Sequence, residues 1–148
     1  LPQIYGFEKL DRALHYEAKL FASSILTQLD NHHFEITHLP TEAQLAPIQG
    51  MVSRDFNNDG NTDLLLAGNF FVAEVETGRA DAGNGLLLLG KGDHTFESVP
   101  LNESGFYAPG NVRDLALIEQ ADGAGFYVLV ANNDDELQVF KTTKEIQK

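Results

Sequence analysis

The clearest order in this chain is a succession of short apolar runs separated by turn residues. Residues 6–14 (GFEKLDRAL) place Phe7, Leu10, Ala13 and Leu14 on one helical face, which predicts a short amphipathic N-terminal helix. After that segment the period drops to two. Residues 33–39 alternate polar and apolar side chains as a half-buried strand does, and Pro40 stops them. Residues 24–29 read as the partner strand, across a turn made by Asp30, Asn31 and His32. Gly50-Met51-Val52 then leads into an Asp/Asn/Gly cluster, and residues 63–67 (DLLLA) and 86–89 (LLLL) read as short buried strands. Residues 95–99, 112–119, 126–131 and 137–141 continue the series. No further helical period appears, so the fold class predicted is all-β.

The runs are also organised as an internal repeat. His33-Phe34-Glu35 followed by Leu39-Pro40 recurs as Thr95-Phe96-Glu97 followed by Val99-Pro100. Ala46-Pro47 recurs as Ala108-Pro109, and Leu64-Leu65-Leu66-Ala67 recurs as Val128-Leu129-Val130-Ala131, giving offsets of 62, 62 and 64 in the same order. A repeat of roughly 60 residues with about four strands fits a β-propeller blade carrying a loop insertion. The expected organisation is one β-repeat domain over 1–148. A helix and lead-in occupy 1–22, a partial blade 23–49, a complete blade 50–100 and a degenerate blade 101–148. That amounts to about two and a fraction four-stranded antiparallel blades, whereas a closed propeller needs about four or more. The chain is therefore expected to pair its blade edges with the rest of a longer parent chain, or with further copies as a homo-oligomer.

One segment carries recognisable chemistry. In residues 55–63 (DFNNDGNTD), Asp55, Asn57, Asp59 and Asp63 place side-chain oxygens at the first, third, fifth and ninth positions, with Gly60 at the sixth. Calcium takes six to eight hard oxygen ligands in a flexible shell, and alternate residues of a tight loop converge on one ion. Gly60 permits the bend that turns the Asn61 carbonyl inward. An EF-hand is disfavoured because position twelve is Leu66 and the flanks read as strands. A bare Asn/Asp/Gly hairpin turn would account for part of the composition but not for the acids at both ends.

Charge and composition narrow the classes. Ten Lys+Arg against 22 Asp+Glu give a net charge of −12, a poor match for phosphate backbones, so no nucleic-acid partner is expected. No apolar run approaches the ~20 residues of a membrane span, and no membrane insertion is expected. The absence of Cys removes disulfides and thiolate chemistry. Leu1 is not followed by a basic and then apolar leader, so the chain reads as mature or internal.

The loop at 55–63 followed by a buried strand resembles the calcium-binding loop of FG-GAP repeats, also called VCBS repeats, which build integrin-α-type β-propellers. Ala46-Pro47 and Phe106-Tyr107-Ala108-Pro109 echo that family's Phe-Gly and Gly-Ala-Pro elements, although most of the glycines are missing. Residues 64–69 (LLLAGN), 74–79 (EVETGR), 85–90 (GLLLLG) and 103–106 (ESGF) are similar, in this order, to the C-terminal end of large exported bacterial VCBS-repeat proteins of the ASPIC/UnbV-associated type. The resemblance covers roughly residues 15–141. It implies calcium-stabilised blades at the cell surface, outer membrane or periplasm, without a catalytic role, with Asp55, Asn57, Asp59, Asn61 and Asp63 on the family's calcium ligands. Residues 119–123 (EQADG) depart from the acid ladder, so no ion is expected in the second repeat.

The insertion at 71–84 (FVAEVETGRADAGN) is the second candidate. Glu74, Glu76, Arg79 and Asp81 lie close together there, as a recognition loop for a protein or glycan or as a solvated loop in which Arg79 pairs with a neighbouring acid. Paired carboxylates also admit a hydrolase fragment, but there is no nucleophile elbow, P-loop, zincin or dinucleotide motif. His32, His33 and His38 read as turn and strand positions, with His33 and His38 on opposite faces. The reading is a non-enzymatic, calcium-binding β-repeat module of an exported protein, acting in adhesion or as an interaction scaffold. A carbohydrate-binding module is the alternative.

Overall fold

A computed structural model describes residues 2–123 and 125–142. Residues 143–148, the end of the last expected blade, lie outside the described residues, as do Leu1 and Ala124. Nine strands are described, all antiparallel, in three open sheets. β1 (Ser24–Gln28) and β2 (Phe34–His38) form a hairpin. β3 (Gly50–Arg54), β4 (Asp63–Ala67), β5 (Leu86–Gly90) and β6 (Phe96–Val99) form a central sheet in sequence order. β7 (Val112–Glu119), β8 (Phe126–Asn132) and β9 (Gln138–Lys141) form the C-terminal sheet. The mostly-β class read from the sequence is the one observed, and the sheets do not close into a propeller.

The two inner strands of the central sheet, β4 and β5, are buried on both faces, which is why they are unbroken apolar runs rather than alternating ones. Successive side chains of a strand point to opposite faces. Leu64, Leu66 and Leu88 therefore pack with Leu39, Ala43 and Ile25 on the hairpin side. Leu65, Leu87, Leu89 and Val99 pack with Val112, Leu115, Val128 and Val130 of the C-terminal sheet on the other. The result is three layers with the central sheet in the middle. The hairpin has one covered face, but the alternation of residues 33–39 is inverted there: Phe34 and Ile36 are exposed, while Thr37 is the partly buried position of β2.

Two close approaches set the spacing between layers. A Cβ on Gly50 would lie 2.9 Å from the backbone of Asp114 and Leu115, so the first strand of the central sheet runs directly against β7. At the other end of β3, the Arg54 guanidinium lies 4.6 Å over the Phe126 ring and 3.7 Å from Glu119. Each connection into a first strand also opens in the same way. Pro40 precedes a 3-10 turn at Thr41–Gln44, and Pro100 precedes a short helix at Leu101–Ser104. Proline supplies the extended backbone from which such turns start.

The N-terminal segment departs from expectation. Instead of one helix over 6–14 there are two short ones, α1 (Pro2–Tyr5) and α2 (Phe7–Asp11), separated by Gly6 at φ +79°. A five-residue helix is too short to hold itself, and α2 has no buried residue, so its apolar face has no core to dock on. The helix at Leu101–Ser104 is numbered α3.

Leu88 is fully buried between the layers, whereas Met51 of β3 is exposed. Leu88→Ala is expected to cost about 2–5 kcal/mol through lost transfer energy and the cavity left behind. Met51→Ala is expected to stay within about 0.5 kcal/mol. Urea unfolding followed by circular dichroism measures both, and equal effects would contradict double burial of the inner strands β4 and β5.

Candidate metal loop and its surroundings

The segment 55–63 joins β3 to β4 across the end of the central sheet. Its first three donors are gathered on the loop's own amides. Asp55 accepts from the N–H groups of Asp59 at 3.2 Å and Gly60 at 2.8 Å. The Asn57 carbonyl oxygen accepts from the same Asp59 N–H at 3.0 Å, and the Asn57 amide donates to Asp59 at 2.9 Å. Asp59 in turn accepts from the Asn61 N–H at 2.8 Å. Asn58 and Gly60 supply the bends, at φ +59° and +89°. Gly60 can adopt that backbone without strain, and Asn tolerates it better than most residues.

Asp63 is placed differently. It is fully buried, and its two oxygens accept from the Phe56 N–H at 2.8 Å and the Gly90 N–H at 2.9 Å. It thereby ties the loop's start to β4 and to the end of β5. The Asn61 side chain turns toward the next hairpin, where a Cβ on Gly92 would lie 2.7 Å from its oxygen. Asp55, Asn57 and Asp59 are thus brought together on shared loop amides, the Asn61 side chain also hydrogen-bonds Asp59, and both Asp63 oxygens are engaged by the Phe56 and Gly90 N–H groups. Among the described residues, no three His, Asp or Glu side chains form a ready-made metal cluster.

The donor set can nevertheless suit a hard cation. Each carboxylate or amide oxygen has a second lone pair beyond the one given to an N–H, and calcium accepts amide and backbone carbonyls beside carboxylates. The Asp59 carboxyl is held below its usual range, chiefly by the Asn61 N–H and then by the Asn57 amide. Asp30 is lowered by the His32 N–H and by the His33 ring, which sits 2.7 Å away, and Asp93 by the Thr95 hydroxyl and N–H. All three are turn residues that accept amides just ahead of them in the chain.

In the 71–84 insertion, a bridge between Phe70 and Ala80 narrows the neck, with N–H···O distances of 2.8 and 3.0 Å. Arg79 lies 4.7 Å over the Phe71 ring and donates to Asp81 at 3.1 Å. Glu74 and Glu76 are exposed at the tip. Arg79 and Asp81 are therefore brought together, and the two glutamates stand apart from them. His33 pairs with Asp30, and His38 lies 3.0 Å from the Ser24 hydroxyl, so the histidines do not form one site.

Asn69 is the residue the sequence reading passed over. It is fully buried at the end of β4. Its amide N–H groups reach the carbonyls of Gly83, Pro109 and Gly110 at 2.9, 3.0 and 3.1 Å, and its oxygen accepts from the Gly83 N–H at 2.9 Å. Glycine at 83 permits this contact, since a Cβ there would meet the Asn69 oxygen at 2.9 Å. The Gly-Asn step after LLLA is visible in sequence, but its partners, 14 and 40 residues away, are not.

The chain matches no protein-family model, no curated protein and no solved structure.

Two outcomes test this geometry without any ion. Asp63→Ala leaves the Phe56 and Gly90 amides without their charged acceptor and is expected to cost roughly 3 kcal/mol by urea unfolding. An effect no larger than that of a surface substitution would contradict the buried double acceptance. The second outcome concerns acid. The folded carboxyls of Asp30, Asp59 and Asp93 lie below the unfolded value of about 3.9. Their stabilisation is present above that pH and lost as pH falls through the lower folded values. Melting temperature followed from pH 7 to pH 2 should keep these groups' full contribution down to roughly pH 4 and then lose it, falling less steeply in Asp59→Asn.

Proposed function

We propose that this chain is a non-enzymatic, calcium-binding β-repeat module of an exported or cell-surface protein, built of propeller-type blades. The observation that carries the reading is the loop at 55–63. It lies between two antiparallel strands, and Asp55, Asn57 and Asp59 share the same small set of loop amides. Those residues, with the Asn61 carbonyl and Asp63, would hold the ion. A bound divalent cation would offset three carboxylates and lock the β3–β4 turn.

The blade reading draws support from layer order and strand sequence. A four-stranded sheet with strands in chain order is the unit of a propeller blade. The proline-led turns before β3 and β7 lie at matching places in the expected repeat. The hairpin would then be part of one blade and β7–β9 part of another. Millimolar calcium outside the cell would suffice for a module of this kind, whose affinities fall near 10⁻⁴–10⁻³ M.

A second reading is favoured by one feature of the insertion. Arg79 stacked on Phe71 and paired with Asp81 presents an aromatic plane flanked by charged donors and acceptors. Such a surface suits a sugar, with the loop at 71–84 as a carbohydrate-binding element. A glycan array with wild type and Arg79→Ala separates this reading from the first.

Calcium at millimolar concentration is expected to raise the wild-type melting temperature by several degrees, and magnesium to do so much less. Asp59→Ala should abolish the gain while leaving the melt in chelator close to that of the wild type. Differential scanning calorimetry measures both. A wild type indifferent to calcium would leave the loop as a turn only.

A further inference from the structure

The strands begin at a common spacing. β1, β2 and β3 start at Ser24, Phe34 and Gly50, and β5, β6 and β7 start at Leu86, Phe96 and Val112, each 62 residues later. In that correspondence the β1–β2 hairpin answers to β5–β6 and lacks the counterparts of β3 and β4 that complete the central sheet. β5 has β4 along its other edge, whereas no strand among the described residues pairs with the outer edge of β1. A cavity of about 350 Å³ opens on the hairpin side of the central sheet, among Ala43, Ala46, Pro47, Ile48, Leu66 and Ala67.

One layer further on, the corresponding place is filled. Leu65 and Ala67 of β4 pack there with Ala108, Val112 and Val130. The Asn84 carbonyl accepts from the Ala108 N–H at 2.8 Å, and the Asn69 amide reaches the Gly110 carbonyl at 3.1 Å. The counterparts of those two backbone groups, 62 residues earlier, are the Ala46 N–H and the Ile48 carbonyl. Neither makes a hydrogen bond among the described residues. The same turn is thus held by a preceding β4-type strand in one layer and left open in the other.

We propose that the open edge of β1, the turn at 46–48 and the cavity beside it form a receiving site for a strand pair of the β3–β4 type from a further β-repeat unit. The second strand of that pair would extend the hairpin along β1 through main-chain hydrogen bonds, with alternate side chains giving specificity. Its apolar side chains would fill the cavity, and its terminal asparagine would reach Ile48 as Asn69 reaches Gly110. A second copy of this chain is not the occupant. Its own β3–β4 pair is already built into its central sheet, with Asn69 engaged by Gly83, Pro109 and Gly110. The inference rests on the repeat-blade reading above and not on calcium, so its test is run in chelator.

The test adds the missing pair to the full chain. Residues 50–85 are repeated ahead of Leu1, so that residues 1–23 connect the added strands to β1, and amide hydrogen exchange is followed by NMR. Exchange at the Ala46 N–H is expected to slow about tenfold or more relative to the wild type, together with the outward amides of β1. Asn69→Ala in the added copy alone should lose the protection at Ala46. If circular dichroism shows that the extended chain does not fold, a separate 50–85 peptide in excess replaces the extension, and the same amides of the wild-type chain are followed. Protection of β1 without Ala46, or protection of Ala46 that survives Asn69→Ala, would overturn the site and leave the blade reading standing. Protection at neither place would overturn the site and count against the blades as well.

Discussion

The structure depends on leucine side chains reaching both ways out of one sheet. β4 and β5 lie in the middle of the central sheet, and the sheet lies in the middle of the stack. Their side chains alternate between a hairpin on one side and a three-stranded sheet on the other. Apolar burial is non-directional and contributes in proportion to area, so two faces double what so short a strand can supply. Gly50, pressed against Asp114 and Leu115, lets the layers approach closely enough for that burial to be complete.

This arrangement explains how the polar loops are held. Asp63 sits at the first position of β4, already inside the packed layers, where a carboxylate is tolerated because two N–H groups meet it. The loop at 55–63 is therefore anchored at one end by a buried acceptor. At the other end, Phe56 packs with Phe126 at a ring distance of 5.5 Å. Between those anchors, side chains and amides satisfy one another. The loop's own hydrogen bonds thus give it a defined shape.

Much of the fold was legible because each strand's environment is written in its pattern. DLLLA and LLLL matched strands covered on two faces, whereas the apolar side chains of the alternating residues 33–39 face outward instead of into the core. The acid ladder was legible as a loop between strands. The N-terminal helix was misjudged because periodicity reports a face without reporting whether anything lies against it; Gly6 and the lack of a packing partner decided the outcome. Asp63 and Asn69 were harder for a related reason. Their partners Gly90 and Pro109 come from distant parts of the chain, and local spacing carries no trace of them.

The polar clasp at Asn69 has a consequence for the insertion beside it. Phe70 and Ala80 close the neck of the insertion, and Asn69 holds Gly83 just beyond it. The body of the protein is thus insulated from whatever residues 71–79 contain. Their length and identity are free to drift, be exchanged or be grafted, so this is the part of the scaffold on which a lineage could try new partners without endangering the layers beneath.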